Sequence, residues 1–185
     1  MIKKILTVFV TVCGLSLLAG DLEIISATYG NGDNKVDVTE KVKAAVVEDT
    51  FICVTVSNNF AGSDPAKGKA KTMKVEYKVD GETKTAEVKE KKDFIVIAAI
   101  PVEGEGLKVI KAYYGAPGKW MDVKDIVTKA LEDNKKLAVN NGTFKKDPAP
   151  GTAKKLIVIY SDKGKVGSVV KNERTFLEIE EFQKK

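Results

Sequence analysis

The sequence predicts a mainly β (α+β) chain: two tandem small β-sandwich or partly open barrel modules, each with about five strands and one short helix. Three observations predict it. The chain repeats itself in order, with a period of 82 to 85 residues. Each copy holds short β-branched or aromatic runs broken by turn residues. Each copy also has a single stretch with helical spacing of its apolar positions.

The repeat is carried by specific residues. Leu22–Gly30 matches Leu107–Gly115, ending in Tyr29-Gly30 and Tyr114-Gly115. Asp37-Val38 answers Asp122-Val123, and Asn58-Asn59 is aligned with Asn140-Asn141. Asp64-Pro65 with Gly68 and Lys71 answers Asp147-Pro148 with Gly151 and Lys154. Tyr77 and Gly81 pair with Tyr160 and Gly164, and Phe94 is aligned with Phe176. A duplicated module is the simplest source of so many ordered matches.

The domain plan follows: a leader at 1–20, a first module at 21–100, a linker at 101–106 and a second module at 107–185. The leader has two lysines, an apolar run from Ile5 to Leu18 and the small residues Ala19-Gly20. This pattern is that of a secretory signal peptide, too short for a comfortable membrane span. No cysteine follows the small residues, since position 21 is Asp, so lipidation is not expected. The expected location is periplasmic or secreted, with no transmembrane segment left after the leader is removed. The linker Pro101–Gly106 is short and holds the modules in a nearly fixed tandem.

Within each module, Leu22–Tyr29 opens as a strand. Val38, Val42, Ala45 and Val46 then recur at helical spacing, as do Val123, Val127, Ala130 and Leu131. Asp37 and Asp122 stand where N-caps belong, with Glu40 and Asp125 three residues on. A strand at Phe51–Ser57, matched by Leu137–Asn140, leads into an Asn-Asn to Asp-Pro-x-x-Gly loop. A hairpin follows, from Met73 to Val79 through Asp80-Gly81 into Thr83–Val88. Its counterpart runs from Leu156–Tyr160 through Lys163-Gly164 to Val166–Val170. Phe94–Ile97 and Phe176–Ile179 close the modules.

Composition removes whole classes of chemistry. The 185 residues include no histidine, so no Ser-His-Asp triad, Cys-His pair or imidazole zinc site can be built. Cys53 is the one thiol outside the leader and lies in an apolar strand run, without the usual base beside it. Removing the leader lowers the formal charge from +5 to +3. Arg174 is the single arginine against thirty lysines, a poor set for bidentate phosphate or base recognition. No phosphate-binding glycine loop occurs. Neither a specific nucleic-acid partner, a cofactor, a metal nor a catalytic residue is expected.

The candidate ligand-binding residues are Trp120 and the polar groups of the repeated loop. Asn58, Asn59 and Asp64 in the first copy, with Asn140, Asn141 and Asp147 in the second, can offer oxygen atoms to sugar hydroxyls. Each copy brings a single carboxylate beside crowding lysines, which does not match a calcium loop and favours turn formation. Trp120 follows Gly115-Ala-Pro-Gly-Lys, where the first copy has Lys35-Val36. Exposed in a glycine-rich loop, it would be a contact for a protein or a sugar; buried, it packs against the helix.

The series Ile-x-x-Ala-x-Tyr-Gly, Asp-Val-Thr, then Asp-Pro-x-x-Gly-x-x-Lys-x-x-x-Val-x-Tyr resembles the C-terminal module of the mitochondrial DnaJ subfamily C member eleven proteins. The first copy carries Ala27, Tyr29-Gly30, Asp37-Val38-Thr39, Asp64-Pro65, Gly68, Lys71, Val75 and Tyr77. The second carries Ala112, Tyr114-Gly115, Asp122-Val123, Asp147-Pro148, Gly151, Lys154, Val158 and Tyr160, with Lys124 in place of Thr39. The resemblance implies a β-rich, non-catalytic module that associates with proteins or envelope components. Exported bacterial relatives of that module have no assigned function. A J-domain needs a His-Pro-Asp triplet, which this chain lacks. The expected function is a non-enzymatic binding or scaffolding element with an envelope protein or other extracytoplasmic component as partner; the alternative is a carbohydrate-binding protein using loop aromatics and Asn/Asp side chains.

Overall fold

The computed structural model describes residues 21–102 and 104–182. The expected signal peptide lies outside the described residues. The first module runs β1 (Leu22–Asn31), β2 (Asn34–Asp37), α1 (Thr39–Lys43), β3 (Val46–Val47), β4 (Phe51–Thr55), α2 (Asn58–Ala61), β5 (Thr72–Val79), β6 (Glu82–Lys89) and β7 (Asp93–Ile97). The second runs β8 (Lys108–Ala116), β9 (Lys119–Asp122), α3 (Lys124–Glu132), β10 (Leu137–Ala138), α4 (Asn141–Phe144), β11 (Lys155–Asp162), β12 (Lys165–Asn172) and β13 (Phe176–Leu177). A 3-10 turn at Ile179–Phe182 follows.

Each module packs an open four-stranded antiparallel sheet on a smaller one, which selects the sandwich over the barrel. The large sheets are β2-β1-β5-β6 and β12-β11-β8-β9, and the small ones are β3-β4-β7 and β10-β13. Strand alternation fills the space between them. In the first module Ala27 and Tyr29 of β1 and Met73, Val75 and Tyr77 of β5 meet Ile52 and Val54 of β4, closed by Val42 of α1. In the second, Ala112, Tyr114, Leu156, Val158 and Tyr160 meet Leu137 and Leu177, closed by Val127 of α3.

Both copies bend the first long strand at the same place. The β1–β5 register shifts between Ile24 and Ser26, and the β11–β8 register shifts between Ile159 and Tyr160. Both also fold the following hairpin so tightly that a Cβ on Gly30 would lie 2.1 Å from the Asn34 carbonyl oxygen. The same atom on Gly115 would lie 2.1 Å from that of Lys119. Gly115→Ala and Gly30→Ala are therefore each expected to cost about 2–4 kcal/mol in urea unfolding.

Several boundaries differ from the sequence reading. Val38 and Val123 are the N-cap residues, and neither caps through its side chain. Asp37 and Asp122 sit one residue further out, accepting backbone N–H bonds from Thr39 at 2.7 Å and Lys124 at 2.8 Å. Val46, read as helical, belongs to β3, which pairs with β4. Phe176 does not match Phe94. The equivalent of Phe94 is Leu177: both are 2% exposed, whereas Phe176 is 47% exposed. Strand alternation explains it, since Phe94 pairs with Val54 and Leu177 with Leu137 in the same register. The missing ring is supplied from elsewhere. Tyr77 packs edge-on against Phe94 at 5.8 Å, and Tyr160 does so against Phe182 at 5.0 Å.

The modules stack face to face. The outer face of the first module's small sheet, with Phe51, Cys53, Ile95 and Ile97, covers the outer face of the second module's large sheet. That second face presents Tyr113, Ile157, Ile159, Trp120, Val166 and Val170. Ion pairs rim this seam: Lys111 reaches Glu48 at 2.6 Å and Lys155 reaches Asp93 at 2.8 Å. The result is four sheets in succession, large, small, large, small.

The outermost faces carry different chemistry at equivalent positions. Where the seam has Tyr113, Ile157, Ile159 and Val170, the free large sheet has Thr28, Lys74, Glu76 and Glu87. Where the seam has the cross-strand pair Cys53 and Ile95, the free small sheet has Lys136 and Glu178, joined by an ion pair of 3.0 Å. Polar end faces on an apolar stack are the terminal caps of a repeat array.

Candidate functional site

The repeated loop builds a polar cluster in each module. In the first, Lys71 enters just before β5 and is 4% exposed. Its ammonium lies 3.2 Å from Asp64 Oδ1 and 3.4 Å from Glu90 Oε2, and donates to the Lys69 carbonyl. The Tyr29 hydroxyl donates to Asn58 Oδ1 at 2.9 Å. Asp64 also accepts the Ala66 N–H, which shapes its loop.

The second module reproduces the set. Lys154 lies 3.3 Å from Asp147 Oδ1 and 3.2 Å from Glu173 Oε1, and donates to the Thr152 carbonyl. The Tyr114 hydroxyl stands 2.9 Å from both Asn141 Oδ1 and Glu173 Oε1. Asn141 Nδ2 donates to Asp147 Oδ2 at 3.0 Å, and Asp147 accepts the Ala149 N–H.

The reason for the burial is local. A half-buried loop carries backbone carbonyls and carboxylates that need donors, and a lysine stem can cross apolar ground to supply them. Burial pulls the Lys71 and Lys154 ammonium groups down, but the paired carboxylates outweigh it and hold both above the ordinary lysine range. Burial pushes the Tyr29 and Tyr114 phenols well up, with Glu90 and Glu173 adding to the effect. Burial likewise raises Glu173, yet hydrogen bonds from Tyr114 and Lys154 hold its carboxyl below the usual range. At neutral pH these lysines and tyrosines keep their protons. The cluster is an internal clasp, and its groups are turned toward one another rather than toward a ligand.

This clasp places most of the residues singled out from the sequence. Asn58 and Asp64, and Asn141 and Asp147, are spent on Tyr29, Lys71, Tyr114 and Lys154 as described. The expected alignment of Asn58-Asn59 with Asn140-Asn141 is displaced by one residue. Ser57 and Asn140 are the equivalent N-caps, accepting from Phe60 N and Thr143 N. Asn58 and Asn141 are the residues that reach the tyrosines. Asn59 is exposed on α2, opposite no repeated partner, because Gly142 stands in its place. The loop therefore opens as a one-turn helix, which the sequence reading missed. Lys71, Glu90, Lys154 and Glu173 were also missed as members. The repeated lysine was visible, and Glu90 and Glu173 keep the same 83-residue spacing as Lys71 and Lys154.

The paired clasps give a paired prediction. Tyr114→Phe removes the hydroxyl that lies against both Asn141 and Glu173, whereas Tyr29→Phe strips one direct bond from Asn58. Both are expected to destabilise by about 1–2 kcal/mol in urea unfolding, with Tyr114→Phe the larger.

Trp120 lies on β9, not in a loop, paired with Gly115. It is half-buried, edge-on to Phe51 at 6.1 Å across the seam, and its indole N–H is buried without a partner. A ring held this way joins the two modules.

Two contiguous open depressions of about 360 and 460 Å³ share Ser26 on the first module; the others lining them include Thr28, Lys74, Glu76, Asp37 and Glu40. Among the described residues no group of three or more His, Cys, Asp or Glu is placed to hold a metal. Among them, too, no helix is long and apolar enough to cross a membrane.

No family model matches the chain, and no solved structure matches it. Among curated proteins it is similar to a stretch of the "Putative beta-glucuronidase" of Formosa agariphila, at 36% identity over 97 residues. That stretch is 51% of this chain and 8% of the relative. The chain thus spans a small part of that protein's length.

Proposed function

We propose that this is an exported, non-enzymatic binding or scaffolding protein, periplasmic or secreted, whose fixed two-module body contacts an envelope protein or another extracytoplasmic partner. The observation that carries the reading is the seam. Phe51, Tyr113, Ile157 and Ile159 bury an apolar layer between the modules, so the pair acts as one rigid body with polar ends. The repeated polar residues support it, because they are consumed in holding their own loops. The motif residues that resemble the DnaJ subfamily C member eleven module fall in this framework. Tyr29, Asp64 and Lys71 build the clasp, Gly30 allows the hairpin, and Val75 and Tyr77 fill the core.

A second reading is carbohydrate association, favoured by the name of the glycosidase-like relative, one segment of which matches this chain. The packing of Trp120 on Phe51 across the seam supports the first reading over it. Affinity capture from the native envelope, run beside a glycan array, separates the two. The first reading expects a protein partner to be retained by the wild type and lost when the seam is opened by Phe51→Ala. Retention of glycans alone would replace it with the second.

A further inference from the structure

The two modules differ most at the outer edge of their large sheets. β6 and β12 occupy the same place, each an eight-residue strand at a sheet edge with one pairing neighbour. An open edge is a template for another strand, and proteins blunt it with charges, above all with charges on the inward side. β6 is blunted in this way: Lys84 stands on its inward side, paired with Glu82, and Glu87 and Lys89 follow. β12 has Gly167 where β6 has Lys84, and Val170 where β6 has Glu87. From Val166 to Val170 it carries neither charge nor proline.

Gly167 has an internal reason, since Tyr160 lies over it and a Cβ would meet that ring at 2.5 Å. Lys171, near the far end of the strand, is an inward-side charge held by Glu181 at 2.8 Å, but the stretch Val166–Val170 before it is left unprotected. The two-residue turn at Lys163-Gly164 makes Asp162 and Lys165 the hydrogen-bonded pair that closes the hairpin. By alternation Gly167 and Val169 bond inward to β11, and Val166, Ser168 and Val170 turn their N–H and C=O groups to the open side.

We propose that this edge pairs with the β12 edge of a second copy of the chain, antiparallel about a two-fold axis at Val169. Three features fit that occupant. Val166 and Val170 are half-buried at the rim of the apolar seam, so a second β12 continues an existing interface rather than starting one. In this register Ser168 of one copy exchanges backbone bonds with Val170 of the other, an isologous arrangement that closes on itself. Charges are also compatible: in this register no lysine falls opposite a lysine. The outcome would be one eight-stranded sheet carrying two copies of the binding body. The proposal stands apart from the identity of any partner protein, and the two fail separately.

Sedimentation equilibrium of the purified protein tests it. The mass is expected to rise toward twice that of one chain as concentration increases. Ser168→Pro removes an outward N–H and is expected to return the mass to a single chain. Thr85→Pro, at the equivalent site of β6, should leave the association unchanged. A single-chain mass at every concentration overturns the proposal and leaves the edge to an extended segment of another protein. A doubled mass that persists in Ser168→Pro overturns it as well. Hydrogen exchange on the unaltered protein avoids any folding defect of the variants. The amides of Ser168 and Val170 should slow as concentration rises while those of Thr85 and Glu87 do not; equal rates at all concentrations contradict the pairing.

Discussion

Phe51→Ala is expected to destabilise the protein by about 3–5 kcal/mol, the range for a fully buried phenylalanine. Phe51 is 0% exposed and is the centre of the seam. Its ring lies 5.3 Å from that of Tyr113 and 6.1 Å from that of Trp120, so truncation opens a cavity with aromatic walls from both modules. Trp120, the lone tryptophan, should report the change as a red shift of its emission. Cys53, on the same face of β4, should become open to alkylation. Ile25→Ala provides the contrast, since Ile25 is 42% exposed on the free large sheet and should shift stability by less than about 0.5 kcal/mol. Urea unfolding with fluorescence detection reads both variants.

The second large effect is on the alkaline side. With no histidine, the side chains offer nothing that titrates near neutrality, and stability is expected to be flat between about pH 6 and 8. Above that window it should fall steeply. Burial pushes the Cys53 thiol up to about 12, and Tyr29, Tyr113, Tyr114, Tyr77 and Tyr160 are all raised, burial being the largest cause in each. Lys71 and Lys154 are raised by their carboxylate partners, against the pull of burial. A group whose pKa is higher folded than unfolded gives its stability in full below the unfolded value. It loses that stability as pH rises toward the folded one. Cys53 alone accounts for about 4 kcal/mol between pH 9 and 12. Thermal unfolding across pH 6–12 should therefore show a plateau and then a fall beginning near pH 9. Cys53→Ala should delay the start of that fall toward pH 10, where the tyrosines take over. A stability maximum at pH 10 or above in the unaltered protein would contradict the buried states of these groups.

Much of this fold was legible because duplication turns one ambiguous sequence into two readings of the same structure. The long strands and both two-residue hairpin turns could be placed from period-2 patterning and from Asp-Gly and Lys-Gly. What escaped was short or shared. β3 and β10 are two residues each and owe their pairing to the opposite strand rather than to local preference. Phe94 and Phe176 look equivalent as letters, but strand register sends one to the core and the other to the surface.

The seam left a signal that went unread. In β5, Met73, Val75, Tyr77 and Val79 alternate with Lys74, Glu76 and Lys78, as a strand with one wet face should. Its counterpart β11 reads Leu156-Ile157-Val158-Ile159-Tyr160 without a break. Such a run marks a strand covered on both faces, and Phe51–Val54 in β4 carries the same mark. Together they predict that the first module lies on the second. The clasp was harder to see, because Lys71 and Glu90 are separated by a whole hairpin and meet only after β5 and β6 pair. Trp120 looked like a loop residue because Pro117-Gly118 just before it form the turn that leads into β9.

The central claim is that the two modules form one body through their apolar seam. Equilibrium unfolding in urea, followed at once by Cys53 alkylation from the first module and by hydrogen exchange of the Val139 amide, which bonds to the Thr175 carbonyl in the second module away from the seam, tests it most directly. The account predicts a single transition with the same midpoint by both probes. Reaction of Cys53 in a transition that precedes the loss of Val139 protection would mean that the first module unfolds independently, and would contradict it.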